Sequence, residues 1–246
     1  MYLNLEEQDL EKYIYRTIPL KRLFQLFEEN QNTLVKPSLW EDTFENFVLK
    51  TKLVNEEGDT VEYNIHERMY GQCWTQEKAS DAMWRIYSQD KRGVRIRTKI
   101  SDLLDSICIA TIDRANCEHC VGKVDYVREE NLVAKARDIF SETGTVTFGG
   151  LFRSLLIKRR AFKHENEIRI MFCDWSDGAS TENIFKYSIN PNELITQMML
   201  DPRLERHEAE ELKAEIRTRT GFKGDIKRSL LYRLPESLTM EVKTKI

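Results

Sequence analysis

Long apolar runs are missing from this 246-residue chain. No stretch approaches the roughly 20 residues that a membrane helix needs. The opening residues Met1 to Glu7 are acidic and carry no signal-peptide core, so a cytoplasmic setting with no membrane partner is expected. Proline and glycine are sparse, at five and ten residues. No Pro/Gly-rich linker, internal repeat or low-complexity tract divides the chain, and one large domain spanning 1–246 is expected. The formal net charge is −3 with both signs interleaved, so overall charge argues neither for nor against a polyanionic partner. Histidine is scarce: His66, His119, His164 and His207 form no evident pair, which disfavours histidine-based hydrolysis. There is no P-loop, G-x-G-x-x-G, H-E-x-x-H or G-x-S-x-G. The five cysteines are odd in number and scattered, as befits reduced thiols. Cys117-Glu118-His119-Cys120 has the spacing of half a tetrahedral zinc site. No second pair exists to complete it, so free thiols are expected rather than zinc.

The patterning that is present alternates between the two periods. Strands are expected at Lys12–Arg16, Thr33–Val35, Tyr70–Thr75, Gly93–Thr98, Val121–Val127, Glu165–Phe172, Ile184–Ile189, Leu194–Leu200 and Leu230–Tyr232. Helices are expected from Pro19 to about Glu29, from Trp40, after a Ser80 cap, over Glu129 to about Phe140, over Leu151–Arg160, and over Arg203–Arg217 up to Gly221. Asn55–Asp59 reads as a loop. Strands and helices interspersed at irregular spacing predict an α+β fold rather than regular βαβ winding.

Glu165-Asn166-Glu167-Ile168-Arg169 is the most informative segment. Read as a strand, it puts Glu165, Glu167 and Arg169 on one face and Ile168, Ile170 and Phe172 on the other. Neighbouring carboxylates repel, which would leave one holding its proton near neutrality, as suits a general base or a group gripping a ribose hydroxyl. The competing account is structural: Arg95 and Arg97 share that period and would pair with the two glutamates across an adjacent strand. Trp74, Met83, Trp84 and Tyr87 offer flat surfaces for a nicotinamide, an adenine or an unpaired base, or simply a core. Arg16, beside Tyr13 and Tyr15, has the chemistry for a phosphate or carboxylate, or for a surface pair. Asp42 and Glu45 beside Trp40 are candidates for a ligand hydroxyl or a metal, or for the first turn of a helix. Lys158-Arg159-Arg160 with Lys163 is the one concentrated basic patch, suited to a nucleic-acid backbone or to a solvated helix end.

Taken in order, these motifs resemble a bacterial family of unknown function, domain-of-unknown-function family 2971. Tyr13-Ile14-Tyr15 opens the domain. Trp40-Glu41-Asp42-Thr43-Phe44-Glu45 stands where the family has Asn-Asp-Pro-Phe-Glu. Cys73-Trp74-Thr75, Met83-Trp84-Arg85-Ile86-Tyr87 and Gly93-Val94-Arg95-Ile96 follow, with Ile86 in place of the usual His. Glu165 to Arg169 supplies the Glu-x-Glu-x-Arg. The resemblance spans roughly residues 10–175, with residues 184–233 an extension of the same domain. The layout is also similar to ADP-ribosyltransferase folds. That similarity implies a split mixed sheet flanked by helices and NAD as substrate. Arg16 or Tyr15 would hold its diphosphate or ribose, with Trp74 and Arg169 as further binding residues. Trp84 or Tyr87 would stack the nicotinamide. Glu167 would bind the ribose and stabilise an oxocarbenium ion, and Glu165 would orient an acceptor, either nucleic acid or protein. The expected activity is an NAD-consuming transferase or glycohydrolase, of the kind a toxin or anti-phage effector carries. The alternatives are a nucleic-acid-binding or nucleolytic module, and a non-catalytic interaction domain.

Overall fold

The computed structural model describes residues 1–40, 42–46, 53–54, 60–61, 67–141, 147–176 and 182–234. The loop expected at 55–59 and His66 lie outside them. In chain order the elements are β1 (Tyr2–Leu3), β2 (Tyr13–Ile18), α1 (Leu20–Glu29), β3 (Gln31–Val35), β4 (Leu53–Val54), β5 (Thr60–Val61), β6 (Met69–Thr75), α2 (Asp81–Tyr87), β7 (Val94–Lys99), α3 (Ile100–Ala110), β8 (Cys117–Lys123), β9 (Asp125–Val127), α4 (Leu132–Ser141), α5 (Phe148–Ser154), β10 (Ile157–Arg159), β11 (Glu167–Asp174), β12 (Ile184–Ser188), α6 (Pro191–Leu194), β13 (Gln197–Leu200), α7 (Arg206–Thr220) and β14 (Asp225–Arg228).

One mixed sheet organises the molecule, in the order β1-β8-β11-β6-β2-β7-β13-β14, with β3 bridging β6 and β12. β1/β8 and β13/β14 are parallel and the other pairs of this sheet antiparallel. The sheet is split at β6. β2 meets β6 at Tyr15↔Thr75, whereas β3 meets it at Val35↔Gly71. Two strands thus share one edge of β6 and splay apart, leaving a gap. Helices flank this split mixed sheet, giving the α+β class expected from the element pattern.

The apolar stripe of α1 buries Leu23, Phe24 and Phe27 beside Ile168, Ile170 and Phe172 of β11 and Leu212 and Ile216 of α7. On the other face, Leu151 and Phe152 of α5 pack with Met171, Cys173 and Cys120. β11 is buried along its whole length, the signature of a strand covered on both sides. Two helix ends follow the local chemistry expected of them. Ser80 Oγ accepts from Met83 N at 3.3 Å, and Gly221 closes α7 in the left-handed region at φ +61°.

Several expected elements differ. Residues 151–160 are not one helix: α5 ends at Ser154 and β10 begins at Ile157, pairing in parallel with β9. Leu155, Leu156 and Ile157 are all buried, so tertiary packing overrides helical periodicity here. The segment expected as one strand to Val127 breaks at Val124, whose N–H donates to Glu167 O at 3.0 Å. The helix expected from Trp40 is a 3-10 turn at Thr43–Asn46. The last strand is Asp225–Arg228, and residues 230–232 form a turn. The β11 strand begins at Glu167. Glu165 instead closes a 3-10 turn, Arg160–Glu165, and Asn166 adopts a left-handed conformation at φ +40°.

Candidate active site

A cavity of about 610 Å³ occupies the split in the sheet, within the size range of small-molecule sites. Its wall runs from Tyr15, Arg16 and Thr17 on β2, past Cys73, Trp74 and Thr75 on β6, to Lys158, Glu165 and Glu167. Trp40, Glu45, Met83 and Tyr87 close its sides.

Beside the cavity lies an interlocked set of charges. Arg169 is wholly buried. Its Nε and Nη2 donate to the two oxygens of Glu167 at 3.0 and 2.9 Å, and its Nη1 to Leu155 O at 2.5 Å. Nη2 also lies 3.0 Å from Glu45 Oε2, and Trp40 covers the guanidinium at 4.4 Å. Lys158 Nζ, also buried, sits 2.7 Å from Glu45 Oε1, 3.3 Å from Glu167 Oε2, and in contact with Glu165 Oε2. Burial opposes the Lys158 charge, but Glu167, Glu45 and Glu165 outweigh it and hold its pKa above the ordinary lysine value. Burial likewise opposes the Glu167 charge, and Arg169, then Lys158, overcome it and hold that carboxyl at about 2. Glu165 goes the other way. Burial raises it above the ordinary glutamate value; Lys158 counteracts this, and repulsion from Glu167 and Glu45 adds to it. Glu165 Oε1 has no hydrogen-bond partner among the described residues.

Arg16 also lines the cavity. It is half-buried, and burial is the main influence lowering its pKa. Among the described residues it has neither an ion-pair nor a hydrogen-bond partner. On the far side of its strand it faces Ile96 of β7; on the cavity side, the pairing of β2 with β6 has already ended at Tyr15. Trp74, also in the lining, donates its Nε1–H to Gln72 Oε1 at 2.7 Å, and Tyr87, another lining residue, is 43% exposed.

The structure gathers Glu165, Glu167, Tyr87, Arg16, Tyr15 and Trp74 around one cavity. It removes two expected members. Trp84 is buried in the core with Arg95 over its ring at 5.9 Å and does not line the cavity. Arg169 is consumed by Glu167, Glu45 and Leu155 and does not reach the cavity either. The expected cross-strand pairing with Arg95 and Arg97 does not occur, because β6 and β2 stand between β11 and β7. Arg95 stacks on Tyr15 at 4.8 Å, and Arg97 bonds Thr196 Oγ1 at 2.9 Å. Lys158, read from sequence as part of a basic patch, is the hub of the carboxylates instead. Glu45 joins it from 113 residues away in the chain, and the only signal for either was the charge-bearing motif itself. Arg159 turns to Asp42 at 2.9 Å. Cys117 and Cys120 lie three apart on β8. Side chains at that spacing point to opposite faces, and the two cysteines pack in different clusters. No metal-binding group of His, Cys, Asp or Glu occurs among the described residues, and none of their helices is long and apolar enough to cross a membrane.

This is an α+β, split-sheet protein with one cavity lined both by Arg16, which has no ion-pair or hydrogen-bond partner among the described residues, and by Lys158, Glu165 and Glu167. Residues 83–170 match the model of a family described as "Protein of unknown function (DUF2971)". The matched stretch holds the Met83–Tyr87, Gly93–Ile96 and Glu165–Arg169 motifs; Tyr13–Tyr15, Trp40–Glu45 and Cys73–Thr75 precede it. Nothing among curated proteins matches. Two solved structures match over most of their length. DarT of Thermus sp. 2.9 in complex with carba-NAD+ is 9% identical, covering 92% of this chain and 97% of that one, at a TM-score of 0.39. The same protein in complex with NAD+ is 9% identical, covering 89% and 96%, at 0.37.

Proposed function

We propose that the cavity binds NAD and that the protein transfers its ADP-ribosyl group to an acceptor or to water. The observation carrying this reading is the placement, in one cavity, of an anion-seeking Arg16 and of Glu165 with a carboxylate oxygen left free. A dinucleotide needs both features at once: a cation for the diphosphate, and a negative group beside the ribose carbon from which nicotinamide departs. Tyr87, Trp74 and Trp40 supply flat walls for the two bases.

In this mechanism the bond between the nicotinamide nitrogen and C1′ of the ribose breaks. The electron pair leaves with the nicotinamide, which becomes neutral. Glu165 stabilises the electron-poor C1′, an acceptor oxygen or nitrogen donates a lone pair to it, and the proton released goes to Glu165. A carboxylate with a raised pKa suits that last step. Glu167, whose oxygens are occupied by Arg169 and Lys158, acts as a positioning residue. It anchors the Lys158 ammonium that in turn holds Glu165. A nucleic acid or a protein is the acceptor class in this reading, and a cytoplasmic toxin or defence role is its biological form.

Incubation with NAD and measurement of nicotinamide release tests the proposal. Wild-type protein should release nicotinamide above background, and Glu165→Gln should lower the rate by about 100-fold or more while the protein stays folded. Release at background by a folded sample, with and without cell extract as acceptor, would exclude the reading.

A further inference from the structure

Glu165, whose carboxylate touches Lys158, is followed by a left-handed residue, Asn166. A continuous strand through 165–172 would be the simplest course for this sequence. Instead the chain leaves a 3-10 turn at Glu165, reverses at Asn166 (φ +40°, ψ +60°) and enters β11 at Glu167. Asparagine tolerates this region better than other side chains with a Cβ. Its side chain is also tied down: Asn166 Nδ2 donates to Glu77 Oε1 at 3.0 Å. Its carbonyl accepts from Gln76 N at 2.9 Å. The Thr75 hydroxyl closes the set, donating to Glu165 O and accepting from Glu77 N at 2.9 Å. The end of β6 and the turn before β11 are therefore fastened together at the Glu165 carbonyl and at Asn166.

We infer that the Asn166–Glu77 latch is a positioning device for Glu165, setting its free oxygen against the cavity. The inference rests on the reading of the cavity as an NAD site. Glu77 and Asn166 do not line the cavity, so any effect on turnover passes through Glu165. A displacement of about 1 Å of a reacting group costs up to about 100-fold in rate, and the latch is the side-chain restraint on the residue following Glu165.

The test reverses the hydrogen bond rather than deleting it. Asn166→Asp keeps a residue that accepts the left-handed conformation but sets two carboxylates against each other. It should lower kcat for nicotinamide release about 10- to 100-fold with KM changed less than about threefold. Adding Glu77→Gln restores a donor and an acceptor with their directions exchanged, and should recover kcat to within about threefold of wild type. A purely structural latch would lower the melting temperature in the single variant and leave kcat of the folded fraction unchanged; that result, or a double variant no faster than the single one, overturns the inference. A wild type that releases no nicotinamide defeats the NAD reading instead. The carboxyl ¹³C shift of Glu165 then decides: movement in Asn166→Asp and return in the double variant support the latch, and an unmoved resonance refutes it.

Discussion

Replacing Glu167 by Gln separates a structural charge from a chemical one. Both carboxylate oxygens of Glu167 face Arg169, whose side chain is fully buried. A glutamine there leaves Arg169, among the described residues, with Glu45 as its single anionic partner and Lys158 with Glu45 and Glu165. Breaking a buried pair by removing one partner costs about 3–5 kcal/mol. The lowered pKa of the same carboxyl reflects those ion pairs and points the same way. A carboxyl held at about 2 in the folded chain, against an ordinary 4.5, corresponds to about 3 kcal/mol of stability. Because this pKa is depressed by folding, the contribution is fully present above pH 4.5 and disappears as pH falls towards 2. Urea unfolding of wild type and variant at pH 7 should therefore differ by about 3 kcal/mol, roughly 6–12 °C in melting temperature for a chain of this size. The difference should shrink steadily between pH 4.5 and 2. A variant within about 0.5 kcal/mol of wild type at pH 7, below the usual cost of a buried unpaired charge, would refute the account, as would a difference that ignores pH.

Glu165→Gln should behave oppositely in stability. Its raised pKa means that ionisation in the folded chain is unfavourable, and that Lys158 keeps two other carboxylates; unfolding at pH 7 should change by less than about 1 kcal/mol. Arg16→Ala should weaken NAD binding, raising KM or Kd about 10- to 100-fold by titration calorimetry or steady-state kinetics. Stability should not fall, since no ion pair among the described residues is lost. Gly71→Ala would place a methyl group 2.8 Å from Trp40 Cζ2. The indole must leave its seat over Arg169, at a cost of about 1–3 kcal/mol by chemical denaturation, with a matching change in tryptophan fluorescence.

Local signals carried the sequence reading where one element decides its own shape. The apolar stripe of α1, the Ser80 cap of α2, the glycine stop after α7 and the strands β6 and β7 all form as their side chains dictate. The charged motif at Glu165–Arg169 marked the right neighbourhood because ionisable groups beside a buried apolar strand require partners. Which partners these are is a matter of strand order. Arg95 and Arg97 have a suitable period, yet they are separated from β11 by two strands.

Period and propensity alone determined the α+β class, the presence of acidic groups at a strand start and the aromatic helix beside them. Tertiary structure decided the rest. It splayed β2 and β3 from β6 to open the cavity and buried Trp84. It spent Arg169 on Glu167 and drew Lys158 out of a basic run into a ring of carboxylates. The reason is electrostatic. A charge removed from water must find its counter-charge wherever the fold places one, and for Lys158 and Arg169 that includes Glu45, more than a hundred residues away in the chain.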